Sequence, residues 1–282
     1  MNRYLELTKP RITLFILMST GVGFLFGTHL GRPWTWMELF NTLLGTLLIA
    51  GGTAALNQWY EREGDGLMNR TKARPIPSGR IAADHALVFG AGLSVIGFVE
   101  LCLGVNLLTG LLALFTLASY LFVYTPLKRV SPVSTTIGAI PGAMPPLIGY
   151  AAASGHLNYE AGILFAILFL WQFPHFYAIA WMYREDYARA GIRMLPVVEP
   201  TVDSTARRIV WFSMALVPMS LAPKFFDMAG NLYLFGASIL GTIVLYAGFQ
   251  ANSNQTRVQA RRVLLASVLY LPLLYGLMAL DS

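Results

Sequence analysis

Residues 39–75 read LFNTLLGTLLIAGGTAALNQWYEREGDGLMNRTKARP. From Leu39 to Leu56 there is no charged side chain, and then Glu61, Arg62, Glu63 and Asp65 arrive within one helical turn or so. About 20 mostly apolar residues are enough to cross a bilayer, so residues 39–60 are predicted to span a membrane and to run directly into a charged segment. Asn57, Glu61, Asp65 and Asn69 fall four apart. On a helix that spacing stacks side chains along one stripe. Glu61 and Asp65 then repel each other one turn apart, a cost that a divalent cation would offset; hard oxygen donors suit Mg²⁺. Arg70, Lys72 and Arg74 follow at once, where a polyanion can be held.

The rest of the chain has the same character. Of its 282 residues, 56% are apolar and only 12% charged. Soluble domains average about 45–50% apolar and about 25% charged. The mean hydropathy of +0.58 points to a polytopic membrane protein. That excludes an ordinary soluble enzyme, a disordered chain and a nucleic-acid binder. The net charge of +6 is then read as basic loops on one membrane face. Cys102 is the only cysteine, so no internal disulfide, no paired thiols for zinc and no covalent haem motif are present. Lys9 and Arg11 precede the first apolar run without a small-residue cleavage site after it, so no cleaved signal is expected.

Nine spans are predicted, at 12–30, 39–60, 85–104, 107–125, 133–153, 160–182, 207–223, 229–250 and 262–280, in a single transmembrane unit over 1–282. Alternate loops then gather eighteen of the twenty basic residues on one side, leaving only Arg32 and Lys224 on the other. The positive-inside rule places the N-terminus in the cytoplasm and the C-terminus outside.

A second charged segment follows the run Trp171-Gln172-Phe173-Pro174-His175-Phe176 and contains Arg184, Glu185 and Asp186. His175 and Asp186 are eleven residues apart, close to three turns, and share a face if the helix is unbroken. Charged residues at one helix end are usually a solvated interface. Two such segments on one side, with Asn57 inside the apolar zone, favour a paired metal–phosphate site. His175 lies within an apolar run, where a polar group is either a satisfied core histidine or a functional one. The Tyr124–Arg129 segment is either a basic loop or part of the site.

At this point five segments resemble the intramembrane prenyltransferases of the UbiA type: Leu7–Arg11, Asn57–Pro75, Tyr124–Arg129, Ile137–Pro146, and Trp171–Phe176 continuing through Asp186 to Val197. The resemblance runs from about residue 7 to 198. Its Tyr-Thr-Pro-Leu-Lys-Arg and Trp-Gln-x-Pro-His-Phe runs are similar to the branch whose acceptor is haem. Two positions depart from the pattern. Ser134 stands where the family has asparagine, and the second motif carries Asp186 beside Glu185 rather than repeated aspartates.

The resemblance implies an all-α bundle of nine helices with a cytoplasm-facing cavity, in the inner membrane of a bacterium. It implies transfer of the farnesyl group of farnesyl diphosphate to a vinyl group of haem b, with addition of water, giving haem o and diphosphate. A downstream haem-modifying enzyme or the oxidase would be the protein partner, and nucleic acid would not. It implies Mg²⁺ as cofactor, held by Asn57, Glu61, Asp65 and Asp186, which with His175 and Tyr124 form the expected catalytic set. Lys9, Arg11, Arg70, Lys72, Arg74, Lys128 and Arg129 would hold diphosphate or the haem propionates. Tyr124, Trp171, Phe176 and Tyr177 offer π faces to an allylic cation. The nearest alternative is a family member acting on a hydroxybenzoate or naphthoate. A transporter would place its polar groups at the midplane in inverted repeats, and a structural assembly subunit would tolerate loss of the carboxylates.

Overall fold

The computed structural model describes residues 3–29 and 32–282, which are helical throughout apart from short connections and contain no strand. In chain order the helices are α1 (Arg3–Leu7), α2 (Pro10–Thr28), α3 (Trp36–Leu67), α4 (Ala83–Gly104), α5 (Leu107–Ala118), a π-helical stretch (Ser119–Tyr124), α6 (Thr125–Leu127), α7 (Ser134–Gly142), α8 (Pro145–Ser154), α9 (Tyr159–Met182), α10 (Arg184–Arg189), α11 (Leu195–Val198), α12 (Asp203–Phe225), α13 (Asn231–Asn254) and α14 (Arg257–Leu280).

Among the described residues, seven helical stretches are by themselves long and apolar enough to cross a membrane: α2, α3, α4, Leu107–Leu127, α9, α13 and α14. Leu30, the expected end of the first span, lies outside the described residues. The two other expected spans differ from the seven. Residues 133–153 are not one helix but the pair α7 and α8. Pro145 and Pro146 have no N–H to give the carbonyls of Pro141 and Gly142, so the helix stops and restarts. Gln172 on α9 packs against the break, its Nε2 donating at 2.9 Å to Ala139 O, which also accepts from Ala143 N at 3.1 Å. The expected span 207–223 lies inside α12, which is 23 residues long but diluted by Arg207, Arg208, Lys224 and two prolines.

Membrane helices gain nothing from burying apolar surface that lipid already solvates, so small residues that let backbones touch draw them together. An added Cβ on Gly149 of α8 would sit 1.8 Å from Thr20 O of α2, and one on Gly23 of α2 would sit 2.0 Å from Pro146 O. The α3–α4 contact is built the same way: an added Cβ on Gly97 of α4 would sit 2.6 Å from Ile49 N of α3. On the far side, Tyr233 and Tyr270 tie α13 and α14 to α12 through Ser220, each hydroxyl donating at 2.6 Å. Leu103, Phe122 and Phe235 point outward, as lipid-facing side chains do.

The starts of α2, α4, α7, α12 and α14 and the ends of α3, α9 and α13 lie at one end of the bundle. It carries almost all the basic residues and is called the basic end below. Here α1 is strapped down by Gln58 Nε2, which donates to Leu7 O at 2.8 Å, and by Glu6, which accepts from Arg80 at 2.7 and 2.9 Å.

Candidate functional site

Helix α3 begins with a Thr35/Glu38 capping box and continues seven residues past its expected end at Tyr60. It therefore carries Asn57, Glu61 and Asp65 on one stripe, as the spacing predicts. Asn69 does not join them: the helix ends at Leu67, and Asn69 lies in the turn beyond. Asn57 and Asp65 are buried, at 1% and 0% exposure.

Each side chain of the stripe meets a cation or a donor from elsewhere. Lys9 Nζ donates to Asn57 Oδ1 at 3.1 Å, and Asn57 Nδ2 donates to Thr125 Oγ1 at 3.3 Å. Lys128 Nζ lies 2.9 Å from Glu61 Oε1. Arg74 Nη1 donates to both oxygens of Asp65, at 2.8 and 2.7 Å. The repulsion expected between Glu61 and Asp65 is thus already offset by Lys128 and Arg74, one base for each acid. The Asp65–Arg74 pairing closes because Thr71 Oγ1 donates to Asp65 O at 2.9 Å and turns the chain back over the helix end.

Lys9 reaches inward from a strained backbone, with φ 49° and ψ 60°; a side chain in the left-handed region costs of order 1 kcal/mol or more. Burial, with Arg74 nearby, pulls its ammonium down to about 7 against the attraction of Glu61. An arriving anion would restore its full charge. Burial also disfavours the Lys128 ammonium, but the Glu61 carboxylate outweighs it and holds the group well above the ordinary lysine value. Lys128 sits 4.4 Å above the Tyr124 ring and 6.0 Å from that of Tyr120.

The second motif joins the first, though not as a continuous helix. Helix α9 ends at Met182 and α10 starts at Arg184, so His175 and Asp186 do not share an unbroken face. Asp186 is 7% exposed. Its oxygens accept from Asn69 N and Arg70 N at 3.2 Å each and from the Arg189 guanidinium. Asp186 therefore fastens the two motif loops together. His175 is elsewhere: its ring stacks on Trp171 at 4.8 Å, and Nδ1 is 2.9 Å from Ser267 Oγ. The Ser267 hydroxyl donates to Leu264 O at 2.8 Å, which leaves its oxygen able to accept from the imidazole.

The remaining expected cations are more peripheral. Lys72 Nζ donates to Asn69 Oδ1 at 3.1 Å. Arg129 is exposed but reaches α3, its Nη2 3.4 Å from where a Cβ on Gly64 would be. Arg11 is exposed and makes no ion pair among the described residues. Of the expected aromatics, Tyr177 is buried against Phe173 and Phe212 and Phe176 is exposed. Sequence reasoning missed Thr125, Tyr120, Arg189 and Ser267. Tyr120 had a signal in its four-residue spacing from Tyr124, Thr125 and Arg189 lay within motif segments already singled out, and Ser267 had none.

Among the described residues no three His, Cys, Asp or Glu side chains stand close enough to cage a metal alone. Mg²⁺ does not require that: it keeps several waters and takes one or two carboxylates together with substrate phosphates. The donor set here is all hard oxygen. Ammonium groups already sit on Asn57 Oδ1 and Glu61 Oε1, which marks those atoms as cation-facing, so the residues fit the ion.

The UbiA prenyltransferase family matches residues 16–271. A protein of Solibacter usitatus called protoheme IX farnesyltransferase is 62% identical over 288 residues, covering 100% of this chain and 99% of its own. A solved digeranylgeranylglyceryl phosphate synthase superposes with TM-score 0.81 at 18% identity, over 99% of this chain and 97% of its own. A UbiA homologue from Archaeoglobus fulgidus, bound to GPP and Mg²⁺, superposes with TM-score 0.67 at 17% identity, over 98% and 99%.

Proposed function

The chain belongs to the UbiA prenyltransferase family, and we propose that it transfers the farnesyl group of farnesyl diphosphate to a vinyl group of haem b, giving haem o. The observation that carries this reading is the α3 oxygen stripe faced by cations from three other segments, at an end of a bundle otherwise surrounded by lipid. Both substrates are largely apolar with an anionic end. A site between lipid and water accepts each without taking its hydrocarbon through water.

Diphosphate leaves only when its charge is neutralised. Asn57, Glu61, Asp65 and Asp186 would hold Mg²⁺, which when bound neutralises charge building on the departing oxygens. Lys9, Arg74 and Lys128 contact the same oxygens now and are free to turn to the diphosphate. The Tyr124 and Tyr120 rings, which already accept the Lys128 cation, suit the positive charge that develops on the allylic carbon. As the allylic C–O bond breaks, a C–C bond forms to the terminal vinyl carbon. Water then adds to the carbon beside the macrocycle and loses a proton to the surrounding water. The basic end faces the cytoplasm, with the C-terminus on the other side of a bacterial inner membrane.

The test is purified protein in lipid with haem b, farnesyl diphosphate and Mg²⁺, read by the mass of the haem product. A gain of one farnesyl and one hydroxyl group is expected, and lost without Mg²⁺. Prenylation of 4-hydroxybenzoate with haem left unchanged would overturn the assignment in favour of an aromatic acceptor.

A further inference from the structure

A second polar feature of the basic end takes no part in the stripe. Where α9 breaks into α10, a cavity of about 590 Å³ opens to water beside the starts of α12 and α14, within the usual range for a small-molecule pocket, about 300–1,000 Å³. Arg70, Arg184, Arg189 and Arg257 line it, with Trp181 and Tyr183 as its aromatic wall. Glu185 and Asp186 are the carboxylates in its lining, so four guanidinium groups face two acids. Two positive charges are left over.

These cations are arranged for a ligand. Asp186 is taken by Arg189. Arg70 is laid over the rings of Tyr183 and Tyr187, 5.2 and 5.7 Å from their centres. Arg184 is anchored by one nitrogen to Glu199 O at 2.8 Å, which leaves its other donors free. Arg257 has no ion pair or hydrogen bond among the described residues, and it stands in the first turn of the 24-residue helix α14. The positive end of a helix favours an anion over a cation, and Arg257 is exposed there, so its guanidinium is free to take an anion that enters the cavity. The lining has no lysine; guanidinium forks match planar carboxylates two oxygens at a time.

We infer that the arginines of this cavity bind the two propionate carboxylates of the haem acceptor, next to the metal–diphosphate site with which the cavity shares Asp186. The inference rests on the proposed haem reading. Porphyrin chemistry supports the orientation: the propionates leave one edge of the macrocycle and the vinyls the opposite edge. Held by its propionates beside Trp181 and Tyr183, the ring directs its vinyl edge into the bundle.

The test compares haem b with its dimethyl ester, which has the same ring and no carboxylates, by absorbance titration of the full chain in lipid. The wild type is expected to prefer haem b by tenfold or more, the order of one charge-assisted bidentate contact. Arg257→Gln should remove most of that preference, by lowering haem b affinity and leaving ester affinity as it was. Arg257→Lys should keep part of it. Farnesyl diphosphate affinity, measured in parallel with Mg²⁺, should not change, which also reports an intact fold. An undiminished preference in Arg257→Gln, or none in the wild type, overturns the inference. If the wild type still makes haem o in that case, the haem reading stands and only the cavity assignment falls. If the wild type neither binds haem b nor converts it, both fall.

Discussion

Asp65 is the most exacting residue to perturb, because its carboxylate has two possible employments. In the structure it is fully buried and accepts two hydrogen bonds from Arg74 at 2.8 and 2.7 Å. In the proposed reaction it turns to Mg²⁺. Asp65→Asn keeps the shape and removes the charge. Breaking a fully buried ion pair costs about 3–5 kcal/mol. Arg74 retains 23% side-chain exposure and can still donate to the new amide, so a smaller loss, about 1–2 kcal/mol of stability, is expected. The catalytic loss should be larger. Removing one preorganised stabiliser of transition-state charge costs about 3–4 kcal/mol, or ~10²–10³ in rate. The assay is haem o formation at saturating Mg²⁺ by purified wild type, Asp65→Asn, Arg74→Gln and the double variant, with thermal unfolding in parallel. If Asp65 serves the metal, the double variant regains stability relative to Asp65→Asn and stays inactive. Recovery of activity in the double variant, or an Asp65→Asn enzyme within about threefold of wild type, would refute the reasoning: Asp65 would then serve only as the partner of Arg74.

Lys128→Ala strands the Glu61 carboxylate and should weaken farnesyl diphosphate binding by about tenfold, whereas Arg129→Ala, at the exposed edge, should change it much less; paired titrations decide. Gly149→Ala forces a methyl into Thr20 O and should destabilise by about 1–3 kcal/mol, while Gly21→Ala, which meets nothing within 4 Å, should be neutral in the same unfolding assay. Ser267→Ala removes the partner of His175 Nδ1 on α14 and, because His175 stands apart from the oxygen stripe, should change turnover far less than Asp65→Asn in the same haem o assay. Reporter fusions at Gly79 and Ser204 should report cytoplasm and a fusion after Ser282 the opposite side; a cytoplasmic signal from the last would overturn the orientation.

Hydropathy revealed the helices wherever a crossing is continuous and apolar. It misread residues 133–153, where composition stays apolar while Pro145 and Pro146 remove the hydrogen bonds a helix needs, a local backbone effect that averaging hides. The four-residue spacing placed Asn57, Glu61 and Asp65 on one face because helix geometry is local. The same rule failed one step later at Asn69, where Thr71 and Asp65 turn the chain. Asp65–Arg74, Glu61–Lys128 and Asp186 with the Asn69 and Arg70 amides were not legible. Each pairing depends on loop closure or on the approach of a separate helix, and no spacing encodes that.

The one-to-one pairing of acids with bases has a thermodynamic consequence. A metal ion arriving alone must strip Arg74 and Lys128 from their carboxylates and leave both cations orphaned. Diphosphate arriving alone must do the reverse and leave buried anions bare. Arriving together, they exchange partners: the metal takes the acids, the diphosphate takes the bases, and no charge is abandoned. On the proposed chemistry the two ligands are therefore reciprocally linked, each raising the affinity for the other by the same factor. The resting site acts as a latch that opens to the complex and stays shut to either component.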